Sequence, residues 1–216
     1  MLALPIFAAS GSGQVFATTL LCNFLPVTVD LSAGQTTTPG DDVILGTDGP
    51  DNIQGKAGND TICGGGDDYI HGNSGDDWID GGEGVDNIRG GQGDDTLFAG
   101  PGATVGVSAR VFGGFGNDHI IGGPDADDLR GGRGADTIEG HAGDDELRGN
   151  EDSDVLFGHA GEDVLSGGNG DDDEMFGGRG VDSLTGGSGL DDICDGGGEA
   201  AVAVSNCEES VDIAVH

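Results

Sequence analysis

One apolar position recurs along most of the chain, with little else apolar between. The residue two after an aspartate, or after Ala109 in the one case of Val111, is Ile44, Ile53, Ile62, Ile70, Ile79, Ile88 and Leu97, then Val111, Ile120, Leu129, Ile138, Leu147, Leu156 and Leu165, and finally Met175, Leu184 and Ile193. Nearly every step is nine residues. Ile62 to Ile70 is one short, Leu165 to Met175 is one long, and Leu97 to Val111 carries a five-residue insertion within GPGATVGVSA. No i, i+3, i+4 apolar face accompanies this period, so it predicts no helix. The glycine density alone would penalise a helix by roughly 1 kcal/mol per residue. A short strand with one inward side chain, followed by a glycine-rich turn, accounts for the spacing. Two such units make one coil, and successive coils stack their strands in parallel, about 4.8 Å apart. Alternate repeats then line opposite walls, with one Ile, Leu or Val of each repeat pointing between them.

Composition sharpens the question of how such a chain folds. Apolar residues are 34%, Gly numbers 47, and 41 acidic residues face 7 basic ones, for a net charge of −34. Low hydrophobicity with this charge is the mark of a chain that stays disordered unaided. It excludes a basic stripe for nucleic acid or for anionic lipid, and it favours cations. The apolar start, MLALPIFAAS, is too short and interrupted to span a membrane. It has no basic residue before it, so residues 1–21 read as a degraded signal peptide or an ordinary flank.

Four cysteines, Cys22, Cys63, Cys194 and Cys207, form no C-x-x-C pair. Two fall around the start of the repeats and two around their end. That reads as disulfides Cys22–Cys63 and Cys194–Cys207 in an oxidising compartment, with four unpaired thiols as the alternative.

The aspartates keep step with the apolar series. They are Asp51, Asp60, Asp68, Asp77, Asp86 and Asp95, then Asp118, Asp127, Asp136, Asp145, Asp154 and Asp163, then Asp173, Asp182 and Asp191. Ala109 replaces the aspartate before Val111, and that turn is expected to bind poorly. Asp42 stands before Ile44 without paired glycines and reads as a start cap. Asp125 and Asp152 replace a turn glycine and are expected to tolerate its positive φ.

Copies such as GGEGVDNIR (81–89), GGQGDDTLF (90–98), GGFGNDHII (113–121) and GGRGADTIE (131–139) match GGxGxDxUx at every fixed position, U being a large apolar residue. The chain resembles the RTX, or hemolysin-type, calcium-binding nonapeptide repeats over about residues 41–195. The resemblance implies an all-β fold: a parallel β-roll, or two-walled right-handed β-solenoid, of eighteen residues per coil. Residues 22–40 and 196–216 then read as terminal caps, with the insertion near 99–109. It also implies multiple Ca2+ ions held between successive turns of one wall by carbonyls and the aspartates named above. The eight- and ten-residue steps place the sites beside Asp68 and Asp173 in question.

Calcium supplies the reason for the composition. Stacked carboxylates about 5 Å apart repel by roughly 3 kcal/mol per pair at an effective dielectric of 20. A hard dication with six to eight oxygen ligands reverses that sign, whereas magnesium fits such flexible shells badly. At free calcium ten times its dissociation constant, each site adds roughly 1.4 kcal/mol.

Other chemistry finds little support. There is no H-E-x-x-H, no G-x-S-x-G and no EF-hand loop, and the repeat itself explains the many Asp pairs. His141 and His159, eighteen apart, are spaced to stack on one wall. Tyr69, Trp78, Phe98, Phe112, Phe157 and Phe176 are expected to face outward. The reading is a secreted, extracellular, non-enzymatic calcium-binding roll. The alternatives are a calcium-triggered folding or secretion module of a larger enzyme or adhesin, and an acidic extracellular interaction protein. A protein or polymer partner is left unidentified.

Overall fold

A computed structural model of the chain describes residues 21–102, 108–171, 173–197, 203–207 and 209–210. Of the segment 1–21 read as a leader or flank all but Leu21, and of the cap 196–216 the residues 198–202, 208 and 211–216, lie outside the described residues. Those described form an all-β solenoid of parallel sheets, whose single helical element is the short 3-10 turn Leu31–Ala33.

Strands alternate between two walls, as the nine-residue step requires. The first wall is an eleven-stranded sheet that begins at Val29–Asp30 and Val43–Leu45. It runs through Thr61–Gly65, Trp78–Gly82, Thr96–Phe98, His119–Ile121, Thr137–Ala142, Val155–Ala160 and Glu174–Arg179, and ends with Ile193–Asp195 and Glu209–Ser210. The second wall has nine strands. Its first five are Asn52–Ala57, Tyr69–Ser74, Asn87–Gln92, Arg110–Phe115 and Asp128–Arg133. Glu146–Glu151, Val164–Gly168, Ser183–Gly187 and Ala203–Ser205 complete it.

Register follows the repeat: Ile62 pairs with Ile79, and Leu129 with Leu147. Because strand side chains alternate faces, this register turns the same residue of every repeat inward. Ile53, Ile70, Ile88, Leu129 and Leu147 from one wall meet Ile62, Ile79, Leu97, Ile120 and Ile138 from the other, all 0–1% exposed. The insertion leaves this order intact. Leu97 pairs with Ile120 and Ile88 with Val111, so the extra residues fall between strands.

The last repeat departs from the sequence reading. Ile193 was expected inward and Asp191 in the aspartate series. Instead Cys194 faces the core, 1% exposed and paired with Met175, and Asp192 lies buried at 1%. Asp191 is exposed and takes φ 65°. The step from Leu184 is therefore ten residues, and the turn absorbs the extra one. Cys194 is bonded to Cys207, which packs against the end of the core. An inward Ile193 would have turned that cysteine outward.

Both expected disulfides are present, each with Cα atoms 5.9 Å apart. They act differently. Cys207 stops the open end of the core, whereas Cys22 belongs to a small antiparallel hairpin, Leu21–Cys22 with Leu25–Pro26, tied to Cys63 on the first wall. The start of the core is covered by Val29, 3% exposed, whose strand pairs in parallel with Val43–Leu45.

Of the two aspartates substituting for a turn glycine, Asp152 has φ 75°, as expected. Asp125 is not among the positive-φ residues. Pro124 precedes it and biases Gly123 toward extended backbone, so that turn takes another course.

With so thin a core, each inward residue matters. Leu147→Ala is predicted to lower the unfolding free energy in calcium by about 2–5 kcal/mol. Ser166→Ala on the outer face should change it by less than about 0.5 kcal/mol. Urea denaturation followed by circular dichroism measures both.

Candidate metal centre

The turns carry the acidic residues in two ladders, which run in opposite senses. In the inner ladder, the backbone N–H of each repeat's aspartate donates to the carboxylate one coil further on. Asp60 donates to Asp77 Oδ1 at 2.8 Å, Asp77 to Asp95 at 2.8 Å, and Asp118 to Asp136 at 2.8 Å. In the outer ladder a side chain one residue earlier accepts from the following coil. Asp41 accepts from Asn59, Asn59 from Asp76, Asp76 from Asp94, and Asp94 from Asn117, at 2.7–3.0 Å. The sequence reading missed this second ladder, although Asp and Asn recur at the fifth position of the repeat and carry the signal.

The inner ladder on the first wall is continuous from Asp42 to Asp192. It crosses the insertion through Asp95 N–H to Asp118 Oδ1 at 2.9 Å, then passes Asp136, Asp154 and Asp173. The second wall breaks once. Asp51, Asp68 and Asp86 form one run, and Asp127, Asp145, Asp163 and Asp182 another. Between them Ala109 donates its N–H to Asp127 Oδ1 but offers no carboxylate. All the aspartates named from sequence except Asp191 thus stand in a ladder; Asp192 occupies that place.

The pinned oxygen is half of each carboxylate. The other, Oδ2, is buried and accepts no hydrogen bond in Asp60, Asp77, Asp86, Asp95, Asp118, Asp136, Asp145, Asp154 and Asp163. A buried polar atom without a partner costs about 1–3 kcal/mol, more when charged. Burial raises these pKa values far above the ordinary 3.8. Asp60, Asp118 and Asp163 rise to about 6, Asp77, Asp86, Asp136 and Asp145 to about 7, and Asp95 and Asp154 to about 8. Desolvation is the largest cause, and neighbouring carboxylates add to it, while the backbone hydrogen bond to Oδ1 works against both.

Elsewhere the protein satisfies Oδ2 itself. Thr38 serves Asp42, Thr47 serves Asp51 at 2.7 Å, Gly66 serves Asp68 at 3.2 Å, and Gly123 serves Asp127 at 2.7 Å. At Asp68 this follows from the eight-residue step, which tightens the turn. The ladder nonetheless passes through both Asp68 and Asp173.

Glycine leaves room where Oδ2 has no partner. At Gly55 a Cβ would collide with Asp60 Oδ2 and come within 2.7 Å of the Gly72 carbonyl. At Gly72 it would collide with Asp77 Oδ2 and lie 2.9 Å from the Gly90 carbonyl. Each such corner thus brings a buried carboxylate oxygen near a carbonyl of the next coil. Among the described residues, no three His, Cys, Asp or Glu side chains gather as a metal cluster. The donor set is all oxygen, one carboxylate supplemented by backbone. It suits a hard cation that accepts carbonyl ligands, and it lacks the imidazole or thiolate that zinc favours.

His141 and His159 do stack, with ring centroids 5.2 Å apart. Glu139 lies beside them, 3.5 Å from His159 Nε2 and 3.1 Å from His119 Nε2. The expected aromatic faces also appear, Trp78 against Phe98 and Phe157 against Phe176.

The profile of the RTX calcium-binding nonapeptide repeat (4 copies) matches residues 36–70, 64–97, 109–138, 139–174 and 168–200. No curated protein matches the chain.

The raised acidities have a definite sign. Folded pKa values above the unfolded one mean that the metal-free roll binds extra protons, a stabilisation complete below about pH 4 and lost as pH rises through 6 to 8. Calcium-free protein, desalted after chelation, is predicted to hold more β-structure by circular dichroism at pH 5 than at pH 8. Calcium affinity, read by titration calorimetry, should move the other way and weaken as pH falls over the same range.

Proposed function

The chain belongs to the RTX calcium-binding nonapeptide-repeat family, and on that premise we propose that it is a secreted calcium-binding roll, without catalytic activity of its own, that folds when Ca2+ neutralises its aspartate ladders. Calcium binding and the β-roll come with the family. The location, the non-enzymatic role and the particular ligands are our reading.

One observation carries it: nine buried carboxylate oxygens without a hydrogen-bond partner, repeated at coil spacing beside glycine-lined corners. Asp60, Asp77, Asp86, Asp95, Asp118, Asp136, Asp145, Asp154 and Asp163 are the proposed ligands, together with turn carbonyls. Asp173, Asp182 and Asp192 extend the ladders and are further candidates at the far end. Asp51, Asp68 and Asp127 are weaker ones, because Thr47, Gly66 and Gly123 already serve the oxygen an ion would take.

Secretion is supported by the two disulfides, which persist in oxidising surroundings. Millimolar extracellular calcium matches the affinity range of modules that work there, about 0.1–1 mM. Among the described residues no helix is long and apolar enough to cross a membrane.

The test is a titration of calcium-free protein at pH 8. Circular dichroism should pass cooperatively from coil to β as calcium reaches the millimolar range, with magnesium a poor substitute. Native mass spectrometry should count about nine ions. Asp136→Asn should remove about one ion and weaken its neighbours, whereas Asp127→Asn should leave the count unchanged. Identical spectra in chelator and in calcium would reject the proposal.

A further inference from the structure

The chain has seven basic side chains against 41 acidic ones. Five of the seven, Arg89, Arg110, Arg130, Arg133 and Arg148, belong to four consecutive strands of the second wall. The first four strands of that wall, from Asn52 to Phe115, contain no Asp or Glu at all. These strands overlap the arginine-bearing ones, and the next strand of the wall brings the first strand carboxylate, Asp128.

The arginines fall into two groups. Arg130 pairs with Asp128 at 2.8 Å, Arg148 with Asp128 and Glu146, and Arg133 with Glu151 at 2.9 Å. Among the described residues, Arg89 and Arg110 reach no carboxylate within ion-pair distance. Both line an open groove of about 820 Å³, whose one lining carboxylate, Asp128, is held by Arg130 and Arg148. Phe112 and Phe115 stand in it with 42% and 53% of their surface exposed, beside the amides of Asn73, Asn87 and Gln92. Arg89 lies over the Tyr69 ring at 5.6 Å, and Arg133 over Phe115 at 5.2 Å, distances at which a cation is drawn to an aromatic face.

We propose that this groove binds an anionic polysaccharide, a chain of uronic acids lying along the roll axis across the strands. The groove spans four parallel strands, about 14 Å at 4.8 Å per strand. Arg89 and Arg110 would each take a sugar carboxylate through their forked donors. Phe112 offers a flat apolar face to the C–H side of a sugar ring, with Phe115, itself partly covered by Arg133, beside it, and the amides offer partners for its hydroxyls. A nucleic acid would need a longer basic stripe than two unpaired arginines provide. An extended acidic peptide would seek an unpaired strand edge, and these strands are paired on both sides, apart from the first. The proposal needs the folded roll and goes beyond calcium binding.

The test is titration calorimetry of calcium-loaded protein with an oligogalacturonide too short to gel with calcium. A neutral malto-oligosaccharide and polyglutamate of matched charge serve as comparators. The oligogalacturonide is expected to bind, the neutral sugar to show no binding, and polyglutamate to bind more weakly. The double variant Arg89→Gln/Arg110→Gln should lose about tenfold or more in affinity, with a circular dichroism spectrum in calcium like that of the parent. Three results would overturn the proposal: no binding of the uronic acid chain; equal binding of polyglutamate; or binding that survives in the double variant, which would mean calcium bridging two acidic surfaces. Loss of the β spectrum on chelation tests the calcium reading separately, so the two can fail independently.

Discussion

The structure depends on a carboxylate held by one oxygen. Along most of the roll a backbone N–H fixes Oδ1 of the aspartate one coil on, and in nine of these aspartates Oδ2 is left buried without a partner. The hydrogen bond sets orientation and spacing, and it leaves a negative charge without water. Stacked about one strand spacing apart, such charges oppose the fold that positions them. Protons relieve the conflict at acid pH. At neutral pH a cation must do so, and an all-oxygen corner favours calcium.

Each other feature of the repeat serves that arrangement. The single Ile or Leu per repeat provides a dry spine that fixes register, so that aspartate stacks on aspartate. Glycine at the corner leaves space that any Cβ would fill. The outer ladder of Asp and Asn side chains holds the turns from outside, in the opposite sense to the inner one. Repeat arrays need their ends protected, and here Val29 covers one end while Cys207, bonded to Cys194, covers the other.

Much of this was legible in the sequence because a strict period leaves few alternatives. Ile44 to Leu184 all face inward as the count required, and Ala109 interrupts its ladder as its missing carboxylate implied. The exceptions have local causes. Asp191-Asp192-Ile193-Cys194 satisfies the aspartate–apolar spacing in two frames, and only the pairing of Cys194 with Cys207 selects between them. Asp125 matches Asp152 in position, but Pro124 changes its turn. Which aspartates keep an unserved oxygen depends on neighbours such as Thr47 and Gly66, whose N–H groups reach it only in the folded turn. The arginine-lined groove was hidden for a similar reason: its residues are about a coil apart in sequence and meet only through parallel stacking.

Small-angle scattering at pH 8 addresses the central claim most directly, because it reports compaction independently of any spectroscopic signature. With calcium the chain should be compact. After calcium removal its radius of gyration should climb toward the roughly 50 Å of an unfolded chain this long. A calcium-free sample that kept the calcium-loaded radius would show that the ladders stand without a cation, and the account would be wrong.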